Sequence, residues 1–169
     1  MKKILVFVEE IYEDLELWYP KIRLEEAGYL VSVAGPVAGQ VYKGKHGYPC
    51  KADLAFKDIV SSDFSGVVVP GGFAPDRLRR SQEALKIVRE LNEKGKVVAF
   101  ICHGGWVAIS AKIVKGKKMT SFMAIKDDLE NAGALWVDQP VVVDHHLISS
   151  RMPADLPHFA KAILQKLEI

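Results

Sequence analysis

Four short apolar runs rich in β-branched residues, at 4–8, 31–34, 66–69 and 97–101, alternate with stretches of helical character. This alternation constrains the fold more than any other feature of the chain. Continuous apolar runs, rather than strict in–out alternation, mark strands covered on both faces. Between them Leu15, Trp18 and Ile22 fall on one helical face, as do Leu85, Val88 and Leu91, with Gly28 and Gly95 placed to end those helices. Pro20 predicts an interruption, with a short turn before it and a second helix starting near it. Strands alternating with helices imply parallel βαβ units, hence an α/β fold: a three-layer flavodoxin-like sandwich around a mostly parallel central sheet.

The last third reads differently. Residues 135–137, 141–143 and 147–150 are apolar and close together, with Asp144, His145 and His146 between the latter two. The spacing predicts a short antiparallel element, followed by a closing helix over about 153–167 with proline in its first turn. No internal repeat, low-complexity tract or linker interrupts the chain, so residues 1–169 read as one domain.

Composition excludes several classes. Apolar residues at 49% and charged residues at 26% are ordinary for a folded soluble protein. A formal charge of +2 gives no reason to expect specific nucleic-acid binding, and the densest basic patch, Lys115 to Lys118, suits a solvated turn. No run approaches the roughly 18 apolar residues of a membrane span. The apolar stretch behind Met1-Lys2-Lys3 meets Glu9 and Glu10 too soon for an export signal. Cys50 and Cys102 lie in unlike contexts and form no disulfide or metal-ligand spacing. The expectation is a cytoplasmic protein with reduced thiols, no metal and no cofactor.

Ligands of open α/β sheets bind beyond the carboxyl ends of the strands. Three features converge there: Glu9, Glu10 and Glu13 after the first run, Pro70-Gly71-Gly72 after the third, and Cys102-His103-Gly104-Gly105 after the fourth. Strand, cysteine, then helix resembles the nucleophile elbow of serine hydrolases with a thiol in place of the hydroxyl. Flanking glycines relieve crowding where the backbone reverses, and N–H groups at the following helix start favour a thiolate and a developing oxyanion. On the residues alone, Cys102 could equally be a small buried residue that ends a strand. His103 reaches the sulfur only if the elbow reverses the chain, because neighbours in a strand face opposite ways. His145 and His146 sit in a turn and diverge, His158 reads as a surface residue, and His46 lies in a glycine-rich loop where a site role is open.

The chain resembles the PfpI-type intracellular cysteine peptidases, a branch of the class-I glutamine-amidotransferase-like superfamily that also holds protein deglycases and cofactor-independent glyoxalases. The carriers are Glu13-Asp14-Leu15-Glu16-Leu17, Gly44-Lys45-His46-Gly47-Tyr48, Val69-Pro70-Gly71-Gly72, Ala74-Pro75-Asp76-Arg77 and Ile101-Cys102-His103-Gly104, with further matches at 120–121, 125–128, 131–133 and 149–155. The resemblance implies that Cys102 is the nucleophile, Glu13 the carboxyl group that hydrogen-bonds its sulfur, and His103 the partner base. It places Gly72 and Gly104 beside the oxyanion. It also implies a homo-oligomer, a dimer or hexamer, in which a neighbouring subunit's carboxylate orients the histidine; here that position is Asp76, one methylene shorter than the family's glutamate. The family's common proline after His-Gly is Gly105, followed by Trp106.

The implied substrates are small carbonyl compounds, glycated groups or peptides, since all need an activated cysteine attacking an electrophilic carbonyl. A small single domain favours small carbonyl substrates. A glutamine amidotransferase reading fails, because no histidine here begins the His-x-Glu pattern of those relatives. A non-enzymatic redox sensor or stress-response protein, working through oxidation of Cys102, stays open beside the enzyme.

Overall fold

In the computed structural model, which describes residues 2–168, the four apolar runs are adjacent strands of one sheet. The elements are β1 (Lys3–Phe7), α1 (Asp14–Glu26), β2 (Leu30–Gly35), β3 (Val41–Lys43), β4 (Pro49–Lys51), β5 (Leu54–Ala55), β6 (Gly66–Val69), α2 (Ala74–Leu78), α3 (Gln82–Glu93), β7 (Val97–Ile101), α4 (Gly105–Ser110), β8 (Lys118–Met119), α5 (Lys126–Asn131), β9 (Leu135–Trp136), β10 (Val141–Asp144), β11 (Leu147–Ser150) and α6 (Leu156–Glu168). Met1 and Ile169, the outermost residues of the one-domain reading, lie outside the described residues.

The seven-stranded sheet runs β10-β11-β7-β6-β1-β2-β5. All its pairings are parallel except β10 with β11. This is the mostly parallel α/β sheet that the alternation predicts, with a short antiparallel element near its end. From β1 the chain steps one way to β2, while from β6 it steps the other way to β7. Right-handed crossovers therefore place α1 and α3 on opposite faces. Helices α1 and α6 pack together on one side, and α3 packs against α4 and the strands β6 and β7 on the other. Strands β1, β6 and β7 are covered twice, and from Ile4 to Phe7, Val67 to Val69 and Val97 to Ile101 every residue is buried.

Three sequence expectations need correction. Pro20 does not divide the first helix: α1 is continuous through it. Proline removes one intrahelical hydrogen bond, but Leu17, Pro20 and Leu24 are all buried, and packing holds both halves in one axis. The face marked by Leu15, Trp18 and Ile22 is also not the core face, because Leu15 and Ile22 are exposed and Trp18 is half-buried. Third, Leu135 and Trp136 leave the antiparallel element and pair parallel with Lys118 and Met119 in a separate two-stranded ribbon.

The topology fixes where a site can form. The sheet reverses its direction of growth between β1 and β6, and the chain leaving β1, β6 and β7 carries Glu13, Gly71 and Cys102 to the same end of the sheet. Among the described residues no helix is long and apolar enough to cross a membrane.

Candidate active site

Cys102 follows β7 directly and adopts φ of +60°, in the left-handed region that non-glycine residues rarely occupy. A strained residue between a buried strand and a helical turn is the elbow that the sequence predicts, and the residue held in strain is the cysteine itself. The reversal places the His103 ring beside the sulfur, with Cys102 Sγ and His103 Nδ1 3.2 Å apart. His103 lies between two aromatic rings, stacked on Phe122 and edge-on to Trp106, each with centroids 5.2 Å away. Burial, then the charge of Lys45, lowers its pKa and keeps the imidazole neutral.

The carboxyl group beside the thiol belongs to Glu16. Its side chain is fully buried and accepts the Gly71 N–H at 3.0 Å through Oε1. A Cβ on Gly71 would stand 2.5 Å from that oxygen and 2.7 Å from Cys102 Cβ, so the carboxyl and the cysteine approach the same glycine from two sides. Oε2 is buried and makes no hydrogen bond in this geometry. The Cys102 thiol is nevertheless one of the groups that pull the Glu16 pKa downward, the sense expected of a donor to the carboxylate. Burial and the Glu13 charge outweigh that pull and push the Glu16 carboxyl up to about 8.

Glu13 has a different task from the one expected. It is the N-cap of α1, and its Oε2 accepts the Glu16 N–H at 2.8 Å. It lines the cleft but reaches the sulfur only through its effect on Glu16. The spacing of three residues puts both glutamates on the same side of the helix, so the helix start decides which one enters the core. A signal for Glu16 was present: it sits on the stripe formed with Leu17, Pro20 and Leu24, where a carboxyl group stands out among apolar neighbours.

Cys102 is itself pushed up to about 12, by burial first and then by the Glu16 carboxylate. Two backbone N–H groups, from His103 and Gly72, act in the opposite direction. The second donor at the sulfur is thus His103, where Gly104 was expected. Gly104 serves packing: a Cβ there would come within 2.8 Å of the Val69 carbonyl oxygen. Gly72 is needed as glycine for its φ of +77° and because a Cβ would meet the Glu13 nitrogen at 2.4 Å.

Within one chain Asp76 does not approach His103. Its carboxylate lies on α2 and takes the Arg80 guanidinium at 3.0 Å, partly exposed to solvent. Around the sulfur lies a cleft of about 420 Å³, walled by Ile11, Phe73, Trp106, Phe122, Met152 and Pro153, with Glu13, Glu16, Lys45 and His103 as its ionisable side chains beside the thiol. Trp106 is fixed by donating to Asp128 Oδ2 at 2.8 Å, with the Arg79 guanidinium over its ring. Glu13, Asp14 and His46 could together offer ligand atoms to a cation. Asp14, however, already accepts the His46 and Tyr48 N–H groups, at 3.0 and 3.1 Å, and so holds the 44–48 loop. His46 itself is exposed.

Fold and geometry together define an α/β protein with a strained, hydrogen-bonded cysteine at a strand–helix elbow. The chain belongs to the DJ-1/PfpI family, whose model matches residues 2–166. It is 44% identical over 166 residues to the deglycase PfpI of Pyrococcus furiosus, covering 98% of this chain and 99% of that one. It is 41% identical over 167 residues to the putative cysteine protease YraA of Bacillus subtilis, covering 99% of both. A crystal structure of a two-domain protein from Anabaena variabilis, with DJ-1/ThiJ/PfpI-like and ferritin-like domains, matches 99% of this chain at 42% identity and a TM-score of 0.98. This chain spans 48% of that longer one.

Proposed function

We propose that the protein is a cysteine-dependent enzyme acting on carbonyl compounds, with a deglycase- or glyoxalase-type reaction as the best-supported reading. The observation that carries it is Cys102 at φ +60°, its sulfur facing the N–H groups of Gly72 and His103 with the buried Glu16 carboxyl alongside. The relatives named as deglycases support the choice of reaction.

The resting thiol is not acidic, and Glu16 explains how it reacts. Below about pH 8 Glu16 holds a proton, so its repulsion of a thiolate disappears and its hydroxyl becomes a donor. Neutral His103 accepts the thiol proton at Nδ1, and the thiolate adds to the carbonyl carbon. The carbon–sulfur bond forms as the carbonyl π pair moves to oxygen, where the N–H groups of Gly72 and His103 receive the negative charge. An adduct of a 2-oxoaldehyde moves a proton from the former aldehyde carbon to its neighbour, which leaves the thioester of a 2-hydroxyacid. A peptide adduct instead expels an amine protonated by His103 and leaves an acyl-thioester. Water hydrolyses either thioester and restores the thiol.

The cleft of about 420 Å³ suits a small carbonyl compound or a single glycated side chain better than an extended peptide. The peptidase reading is second, supported by the relative named as a putative cysteine protease. In a homo-oligomer, Asp76 of a second copy would be the group that orients His103. Turnover of methylglyoxal, of a glycated amine and of a peptide, measured for wild type and Cys102→Ala, tests the assignment. Loss of turnover in the variant is expected. Undiminished turnover would sink the role of Cys102, and stoichiometric oxidation of Cys102 without turnover of any substrate would favour a redox sensor.

A further inference from the structure

Lys45 is the one cationic side chain lining the cleft among the described residues, and it forms no ion pair or side-chain hydrogen bond there. Its backbone is nevertheless firmly placed. The Lys45 N–H donates to the Tyr12 carbonyl at 2.8 Å, Gly44 bridges to Tyr12, and the Asp14 carboxylate holds His46 and Tyr48 on the far side of the loop. An exposed ammonium on an anchored loop therefore overlooks the nucleophile.

The other charges of the cleft do not cancel it locally. Glu13 is 4% exposed and has one oxygen committed to the Glu16 N–H. Glu16 is fully buried, and His103 is neutral. The remaining walls are apolar: Ile11, Phe73, Trp106, Phe122, Met152 and Pro153. A ligand entering this space meets apolar surface, the unpaired Lys45 ammonium, the largely buried Glu13 carboxylate and a thiol. A lysine ammonium without a carboxylate partner in a partly desolvated cleft attracts an anionic group far more strongly than an ion pair already satisfied on the surface.

We infer that Lys45 is a specificity residue that anchors a carboxylate on the substrate, so that the preferred substrates are small 2-oxoaldehydes bearing an acid group beyond the dicarbonyl. The inference deepens the carbonyl-enzyme reading and rests on it for its substrate. The anchoring itself needs only the thiol and can be read without any turnover.

Iodoacetate and iodoacetamide supply the matched pair of probes. Each alkylates a thiolate by forming an S–C bond as iodide leaves, and they differ chiefly in the negative charge of the acid. Site-resolved mass spectrometry follows Cys102 separately from the buried Cys50. The iodoacetate-to-iodoacetamide rate ratio at Cys102 is expected to fall by about three- to tenfold in Lys45→Met. Lys45→Arg should recover most of it, and added salt should lower the ratio in wild type. A ratio unchanged in Lys45→Met overturns the inference, also where both rates fall together, since Lys45 would then act on the thiolate and not on the incoming anion. In parallel, the kcat/KM ratio for 4,5-dioxopentanoate, a 2-oxoaldehyde with a terminal carboxylate, over methylglyoxal should fall in the same variant. If wild type turns over neither compound, the carbonyl-enzyme reading fails while the alkylation ratio still decides the anchor.

Discussion

The Glu13 carboxylate accepts the backbone N–H of Glu16 at 2.8 Å, so one glutamate caps the helix whose first turn buries the other beside the Cys102 thiol. The two residues share charge and helix but not environment. Desolvation falls on Glu16, and the Glu13 charge adds to it.

Replacing Glu16 by glutamine should change how stability depends on pH. The Glu16 carboxyl is raised from 4.5 to about 8 in the folded chain, so between those values the folded state keeps a proton that the unfolded state has lost. The contribution is fully present below about pH 4.5 and is lost as pH rises through about 8. Wild type should therefore lose stability relative to Glu16→Gln across that window, by an amount on the order of 3–5 kcal/mol at most. Urea denaturation of both proteins at several pH values measures it. A difference that stays flat would place the Glu16 proton elsewhere.

The same variant should react differently with iodoacetamide. The Glu16 carboxylate is the second-largest cause of the raised Cys102 pKa, after burial. Removing that charge should move the alkylation profile of Cys102 to lower pH. An unmoved profile would mean that the carboxyl does not communicate with the sulfur.

Glu13→Ala should act mainly through the helix. Loss of an N-cap costs about 0.5–2 kcal/mol. Removing the Glu13 charge also relieves part of the upward push on Glu16, so the pH window described for Glu16 should narrow. Thermal denaturation together with the Glu16 window separates the two effects.

Gly72→Ala should cost at least about 2 kcal/mol, because alanine at φ +77° is strained and its Cβ would overlap the Glu13 nitrogen and the Ile11 carbonyl. The variant should also lose turnover beyond what its folded fraction explains, since the Gly72 N–H faces the sulfur. Activity normalised to the folded fraction is the measurement.

Asp14→Ala should free the 44–48 loop locally. The His46 and Tyr48 N–H groups lose their acceptor, at a cost of about 1–3 kcal/mol. Hydrogen exchange should accelerate at those two amides while the β1 and β6 amides keep their protection.

The central strands were legible because burial on both faces leaves a plain signature in consecutive β-branched residues. Helix α1 was harder to read. Proline's lost hydrogen bond is a local quantity, while the packing of Leu17 and Leu24 that offsets it is tertiary. The exposed apolar face at Leu15 and Ile22 mimics a core stripe, and only the sheet beneath shows that Leu17 and Leu24 are the residues turned inward. At the site, Cys102 and Gly72 could be found from strand ends and glycines. Glu16 could be chosen over Glu13 only by reading the stripe of Leu17, Pro20 and Leu24, which the exposed face at Leu15 and Ile22 obscures. Lys45 lies in a loop without periodicity, and nothing in its neighbours announces that its side chain faces a cleft.

The Gly71 N–H reaches the Glu16 carboxyl across 55 residues of sequence, and Cys102 comes from a third segment again. The buried carboxyl, the glycine N–H groups and the thiol come from chain leaving three different strands, so no partial set of these segments assembles the site. A chain still being synthesised, or one misassembled at the β1–β6 boundary, carries the cysteine without these neighbours. A pH profile of Cys102 alkylation that depends on Glu16 would therefore serve as a clock for closure of the sheet centre during refolding.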